Sequence, residues 1–246
     1  MKRMKHTIHS AFSSPWPWIG FGLVFWVMSA INGGGPVPPL RFADVPLYAL
    51  MVAGLLAKGG NGFQFMPPRR LAPLAFIVLS WGFGMIYEAS LTVDGSGIGG
   101  MHPQTRASYI LAQGDYIMVA ALTCAMVRYF HLDFRSVFFF AGGISLSEGL
   151  IFTGVLTAIL MSPAFFMAPL FVAYYTLAYA SFVALPLLFI APETLWSTHA
   201  PPWRLGLPLL WLTGFVLAFI IRLIWGLGWV PFANWTFNLP PNLEGV

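Results

Sequence analysis

An ionised side chain inside hydrocarbon costs roughly 2.5–3.5 kcal/mol on insertion scales, so a carboxylate in an apolar run is the first place to look for chemistry. Glu148 lies about twelve residues into the apolar run that begins at Ser136, or about 18 Å along a helix. Ser145, Ser147, Gly142, Gly143 and Gly149 surround it and make the stretch polar and closely packable. A carboxyl at that depth must be protonated, paired or facing water, because desolvation opposes the charged form. Its chemistry would be that of a proton carrier, an ion ligand, or a contact to a quinone or pigment. The structural alternative is a neutral Glu hydrogen-bonded to a neighbouring helix.

Asp115, after Gln113-Gly114, stands one to two turns inside the outer end of the apolar segment over 108–127. Glu88 and Arg222 stand near segment ends of their own. All three fall in the same half of the expected bundle, so an Arg222–Asp115 or an Arg222–Glu88 pair is allowed. The structural alternative is an interhelical ion pair, or snorkelling to the headgroups. The loop from Thr92 to Arg106 carries four glycines with Asp94, His102 and Arg106. Such a loop is either a lid over the outer polar cluster or a plain connection, and Gly-rich backbone can cradle anions.

Other residues exclude chemistry. His6, His9, His131 and His199 fall at one side and His102 at the other, none within an apolar segment. An axial-His haem site needs His inside helices, and metal-dependent hydrolases need His clusters. The seventh apolar segment holds Arg222 and no Lys, so a retinal Schiff base has no amine. No phosphate-binding Gly motif follows a strand. Cys124, the single cysteine, sits in an apolar segment and reads as a small hydrophobe. No haem, metal or nucleotide signature is present, and the cofactor stays unknown. The net charge of +4 comes from scattered residues, which is no nucleic-acid footprint.

The elements that must position these groups follow from composition. Of 246 residues, 58% are hydrophobic and 8% charged, with a mean hydropathy of +0.77. That is roughly a third of the charge a soluble domain carries, too little to cover a water-facing surface. The expected fold is an all-α integral membrane protein, a polytopic bundle of about seven transmembrane helices forming one domain over residues 1–246. The segments are about 16–31, 43–57, 71–90, 108–127, 136–161, 164–190 and 205–227. The first is read as a retained helix and not a cleaved signal, because no small-residue cleavage site precedes Asn32-Gly33-Gly34-Gly35. Ser162-Pro163 splits the fifth from the sixth, and Pro169 and Pro186 are expected to kink the sixth. Ala49, Ala53 and Ala57, and Gly214 with Ala218, offer close helix contacts.

Orientation follows the distribution of Lys and Arg. With the amino terminus inside, Lys2, Arg3, Lys5, Lys58, Arg69, Arg70, Arg128, Arg135 and Arg204 are cytoplasmic. Arg41 and Arg106 lie outside, with Arg222 near the outer end of the seventh helix. An odd helix count then gives N-in and C-out. The aromatics, Trp above all, fall largely at the interfaces. Gly228–Val246 contains Pro231, Pro240 and Pro241 and reads as an aromatic tail along the outer surface, either wetting the interface or docking a neighbour.

No motif names a reaction. The leading expectation is a non-catalytic subunit or accessory component of a larger membrane complex, assembled through Gly228–Val246. The alternatives are a small secondary transporter or channel using Glu148 and Asp115, and a membrane-embedded lipid-modifying enzyme acting through Asp94, His102 or Asp115. The reading leans away from an enzyme. The expected surroundings are a lipid bilayer, taken as the bacterial cytoplasmic (inner) membrane, possible other membrane subunits, and no nucleic acid.

Overall fold

The computed structural model describes residues 14–32, 44–57, 64–93, 105–147, 160–162, 165–197 and 206–237. Among them the chain is helical and has no β-strand; the sole extended pairing is an isolated bridge between Phe65 and Ile190. The helices are α1 (Pro15–Asn32), α2 (Val45–Ala57), α3 (Ala72–Val93), α4 (Thr105–Phe130), α5 (Phe134–Ser145), α6 (Ala168–Val183), α7 (Pro186–Phe189), α8 (Pro192–Leu195), α9 (Leu207–Ile224) and α10 (Val230–Phe237). Four stretches are long and apolar enough to cross a membrane: Ala72–Ser90, Ile110–Phe130, Phe165–Val183 and Leu207–Phe237. Pro15–Met28, Val45–Ala57 and Phe134–Ser145 are apolar but shorter. Several apolar helices of this kind are compatible with a membrane protein. In lipid the helix is the natural state of such runs, because it satisfies every backbone group internally.

α6 is the centre of the bundle, touching each of α1 to α5. Its neighbours run alternately up and down. Tyr116 of α4 meets Glu88 of α3, while Cys124 lies beside the Pro73 carbonyl at the other end, so α3 and α4 are antiparallel. Gly22 of α1 packs on Ala173 and Leu177 of α6, and Phe25 on Phe171 and Tyr174. α5 is buried on nearly every side, its Phe138, Phe139 and Phe140 included. It starts from Asp133, whose carboxylate accepts the Ser136 N–H at 2.8 Å and caps the helix. α5 and α9 cross at Gly143 and Gly214, where backbone meets backbone and a methyl on either would collide with the other helix. Small residues are what permit so close an approach. This antiparallel order gathers Arg69, Arg70, Arg128 and Arg135 at one end of the bundle.

Three segments differ from their sequence boundaries. The expected helix over 164–190 opens with a 3-10 turn at Phe165–Met167 and breaks at Ala184–Leu185, before Pro186. Pro186 has no N–H to give, and its ring crowds the carbonyl four residues back. The short α7 follows, and Ile190 turns extended, letting the Phe65 N–H donate to the Phe189 carbonyl at 2.7 Å. The helix expected to end at Leu227 instead continues through a π turn, Trp225–Trp229, into α10 and reaches Phe237. The wider turn sits just before Pro231 and relieves the clash its ring would make in a regular helix. Residues 228–237 are therefore a helical extension, while 238–246 lie outside the described residues. The helix expected over 136–161 is described as helical from Phe134 to Ser145, and its deeper part also lies outside.

Candidate functional site

The half of the bundle away from the four arginines holds a buried cluster of carboxylates and tyrosines. α4 presents two polar faces to it. On the α3 side, the Tyr116 hydroxyl donates to Glu88 Oε2 at 3.0 Å, with Tyr116 4% and Glu88 0% exposed. Gly84, one turn before Glu88, lies under the Tyr116 ring with no room for a methyl. That contact lets the phenol cross α3 and reach the carboxylate. One turn away, Trp81 Nε1 donates to Gln113 Oε1 at 2.5 Å, and Gln113 Nε2 lies 3.3 Å from Met85 Sδ. Phe182 of α6 anchors the rings: Tyr116 packs on it edge-on at 5.0 Å, Tyr87 stacks at 6.1 Å, and Tyr179 tilts against it at 5.3 Å. Aromatic pairs of this geometry add about 0.5–1.5 kcal/mol beyond burial.

On the α9 side of α4 stands Asp115, 5% exposed, whose Oδ1 has no hydrogen-bond partner among the described residues. Arg222 of α9 is near enough to act on it electrostatically. The Arg222 guanidinium also lies 4.3 Å from the centre of the Trp225 ring, a cation–π contact. Trp225 Nε1 donates to the Leu111 carbonyl at 3.0 Å, and Trp229 Nε1 to the same carbonyl at 3.0 Å and to that of Ile110 at 3.2 Å. Two indoles thus pin the π turn to α4, one turn from Asp115. Of the two pairings the sequence allowed for Arg222, the structure brings it to Asp115, while Glu88 takes Tyr116.

Asp44 was not singled out in the sequence. It precedes α2, is 1% exposed, and its carbonyl accepts the Leu47 and Tyr48 N–H groups at 2.9 and 3.2 Å. Its charge reaches Tyr48 and Tyr87. The available signal was an Asp directly before Val45-Pro46, a helix-start pattern. The tyrosines of the site carried no such signal, since an aromatic in an apolar helix reads as core.

Glu148, Asp94 and His102 lie outside the described residues; Arg106 falls in the first turn of α4, its side chain outside them too. No group of three or more His, Cys, Asp or Glu that would hold a metal ion occurs among the described residues. Cys124 is buried, with Sγ 3.9 Å from the Pro73 carbonyl. At the opposite end, His131 adopts a left-handed backbone (φ 51°), stacks on Trp196 at 5.3 Å, and puts Nε2 2.8 Å from the Ser197 carbonyl. That contact clamps the α4–α5 corner to the segment after α8. Chemically, the cluster offers carboxylates, phenols and one guanidinium, a set suited to holding a small cation or moving a proton. No known family model, curated protein or solved structure matches the chain.

Proposed function

We propose that this chain is a small cation transporter or channel of a bacterial cytoplasmic membrane, working through the carboxylates of its polar half. The observation that carries this reading is Asp115, a carboxylate 5% exposed with one oxygen lacking a hydrogen-bond partner among the described residues. A membrane helix that keeps such a group pays a real penalty, and intramembrane acids mark ion and proton paths. Glu88, Asp44 and Arg222 lie in the same half, which supports a shared path. Seven crossings with N-in and C-out are supported by the alternating helix directions and by the four arginines at the end assigned to the cytoplasm. Glu148 belongs to the same proposal as a deeper station.

The test is passage of protons, Na⁺ or K⁺ into vesicles holding the purified protein. Asp115→Asn should insert normally and cut flux at least about tenfold, the effect of one lost charge-assisted interaction. Equal flux in both proteins would end the reading.

The second reading is a subunit of a larger membrane complex. It is favoured by the helix Leu207–Phe237, whose final turns expose Trp235 at 84%. Gentle detergent extraction separates the two: co-purifying proteins lost on removing 228–246 favour the subunit, and a particle of this chain alone favours transport. A lipid-modifying enzyme would rest on Asp94, His102 and Asp115, and no described contact favours it.

A further inference from the structure

We infer that the ion this site takes is the proton, with Glu88 and Asp115 as acceptors on the two faces of α4 and the Tyr116 hydroxyl as the partner of Glu88 in both protonation states. The inference rests on the transport reading and names its ion. When Glu88 is ionised, the phenol O–H donates to Oε2, the 3.0 Å contact observed. When Glu88 takes a proton on Oε1, the phenol still donates to Oε2, now as a weaker bond to a neutral carboxyl. One proton arrives, one hydrogen bond weakens, and no heavy atom needs to move.

A metal cation asks for more. Ca²⁺, for example, takes about 6–8 oxygen ligands at roughly 2.3–2.6 Å. On the ring of Tyr116, Gly84 leaves no room for a methyl and Phe182 packs edge-on. A proton needs no such space. The independent observation is Asp115, next in the chain, buried, electrostatically coupled to Tyr116, and with Oδ1 unpartnered among the described residues. Other charged or titratable groups border the site from each packed element. They are Asp44 and Tyr48 at α2, Tyr87 on α3, Tyr174, Tyr175 and Tyr179 on α6 and Arg222 on α9. Like-charge repulsion and desolvation oppose ionising several carboxylates together in this half, and proton uptake relieves both.

The probe is dicyclohexylcarbodiimide, which attacks protonated carboxyls in apolar surroundings, applied to the full-length protein in phosphatidylcholine vesicles and mapped by mass spectrometry. Glu88 or Asp115 should be labelled at acid pH, with labelling lost as pH rises and unchanged by Na⁺ or K⁺ at fixed pH. Tyr116→Phe removes a stronger hydrogen bond from the ionised form of Glu88 than from the protonated form, so its half-labelling point should move by up to about tenfold toward lower proton concentration. Protection by Na⁺ or K⁺ at fixed pH would overturn the proton and leave cation transport standing. Absence of labelling at every pH while cation flux persists would also overturn the proton alone. pH-dependent labelling with no flux of any cation would instead overturn the transport reading and leave a proton-binding site.

Discussion

At the scale of single residues, the site depends on what each side chain leaves its neighbour. Gly84 gives Tyr116 its way to Glu88. Gly84→Ala should force the phenol aside and destabilise the protein by about 1–3 kcal/mol, the usual cost of overpacking, read as a lower melting temperature in detergent. Arg222 of α9 acts electrostatically on Asp115 of α4. Arg222→Leu removes a favourable charge from the buried Asp115 and should lower the melting temperature, and adding Asp115→Asn to it should recover most of that loss. A double-mutant cycle by thermal unfolding measures both; additive effects would show that the two do not interact. The positions of Asp115, Glu88 and Arg222 in one half were legible in the sequence, because charge within apolar runs stands out. The partner of Glu88 was not, because Tyr116 looks like any other aromatic in an apolar helix. Asp44 was passed over because only its place before the helix, and not its residue type, marks it.

At the scale of helices, hydropathy finds segments and says little of their faces. A helix that is apolar all round, such as α6, has no stripe to read. The crossing of α5 and α9 was partly legible in Gly142, Gly143 and Gly214, yet which helices would meet there was not. Gly143→Leu would drive a side chain into the Trp211 carbonyl, and should abolish the folded particle on size exclusion while surface changes such as Arg135→Lys leave it intact. Prolines misled at one end and informed at the other. Pro186 announced a kink and the structure has a full break there, with an extended residue beyond it. Pro231 read as the end of helix, but the π turn absorbs it and the helix goes on. The indole of Trp229, bonded to the Leu111 carbonyl, ties this continuation to α4. Truncation after Leu227 should therefore lower the melting temperature, whereas truncation after Phe237 should not; equal melting of the two would make the extension a free tail.

For the whole molecule, composition alone excluded a soluble fold, and the apolar helices agree with that. What composition cannot carry is depth and sidedness. If the arginine end is cytoplasmic, Arg135→Cys should react with a membrane-impermeant maleimide only in inverted vesicles, and Phe165→Cys only in right-side-out ones. Cys124, buried against α3, should stay silent in both. Reversed labelling would turn the protein over and place the carboxylates in the cytoplasmic half. The central claim is that Asp115 exchanges a cation and is not locked for good in a pair with Arg222. Infrared difference spectra of the wild-type protein minus Asp115→Asn, recorded while pH or Na⁺ is stepped, test it most directly. The account predicts a carboxyl carbonyl band, absent from the variant, that grows as pH falls and stays where it is when Na⁺ is added at fixed pH. A carboxylate signal unmoved by pH would contradict it and make the pair a structural tie.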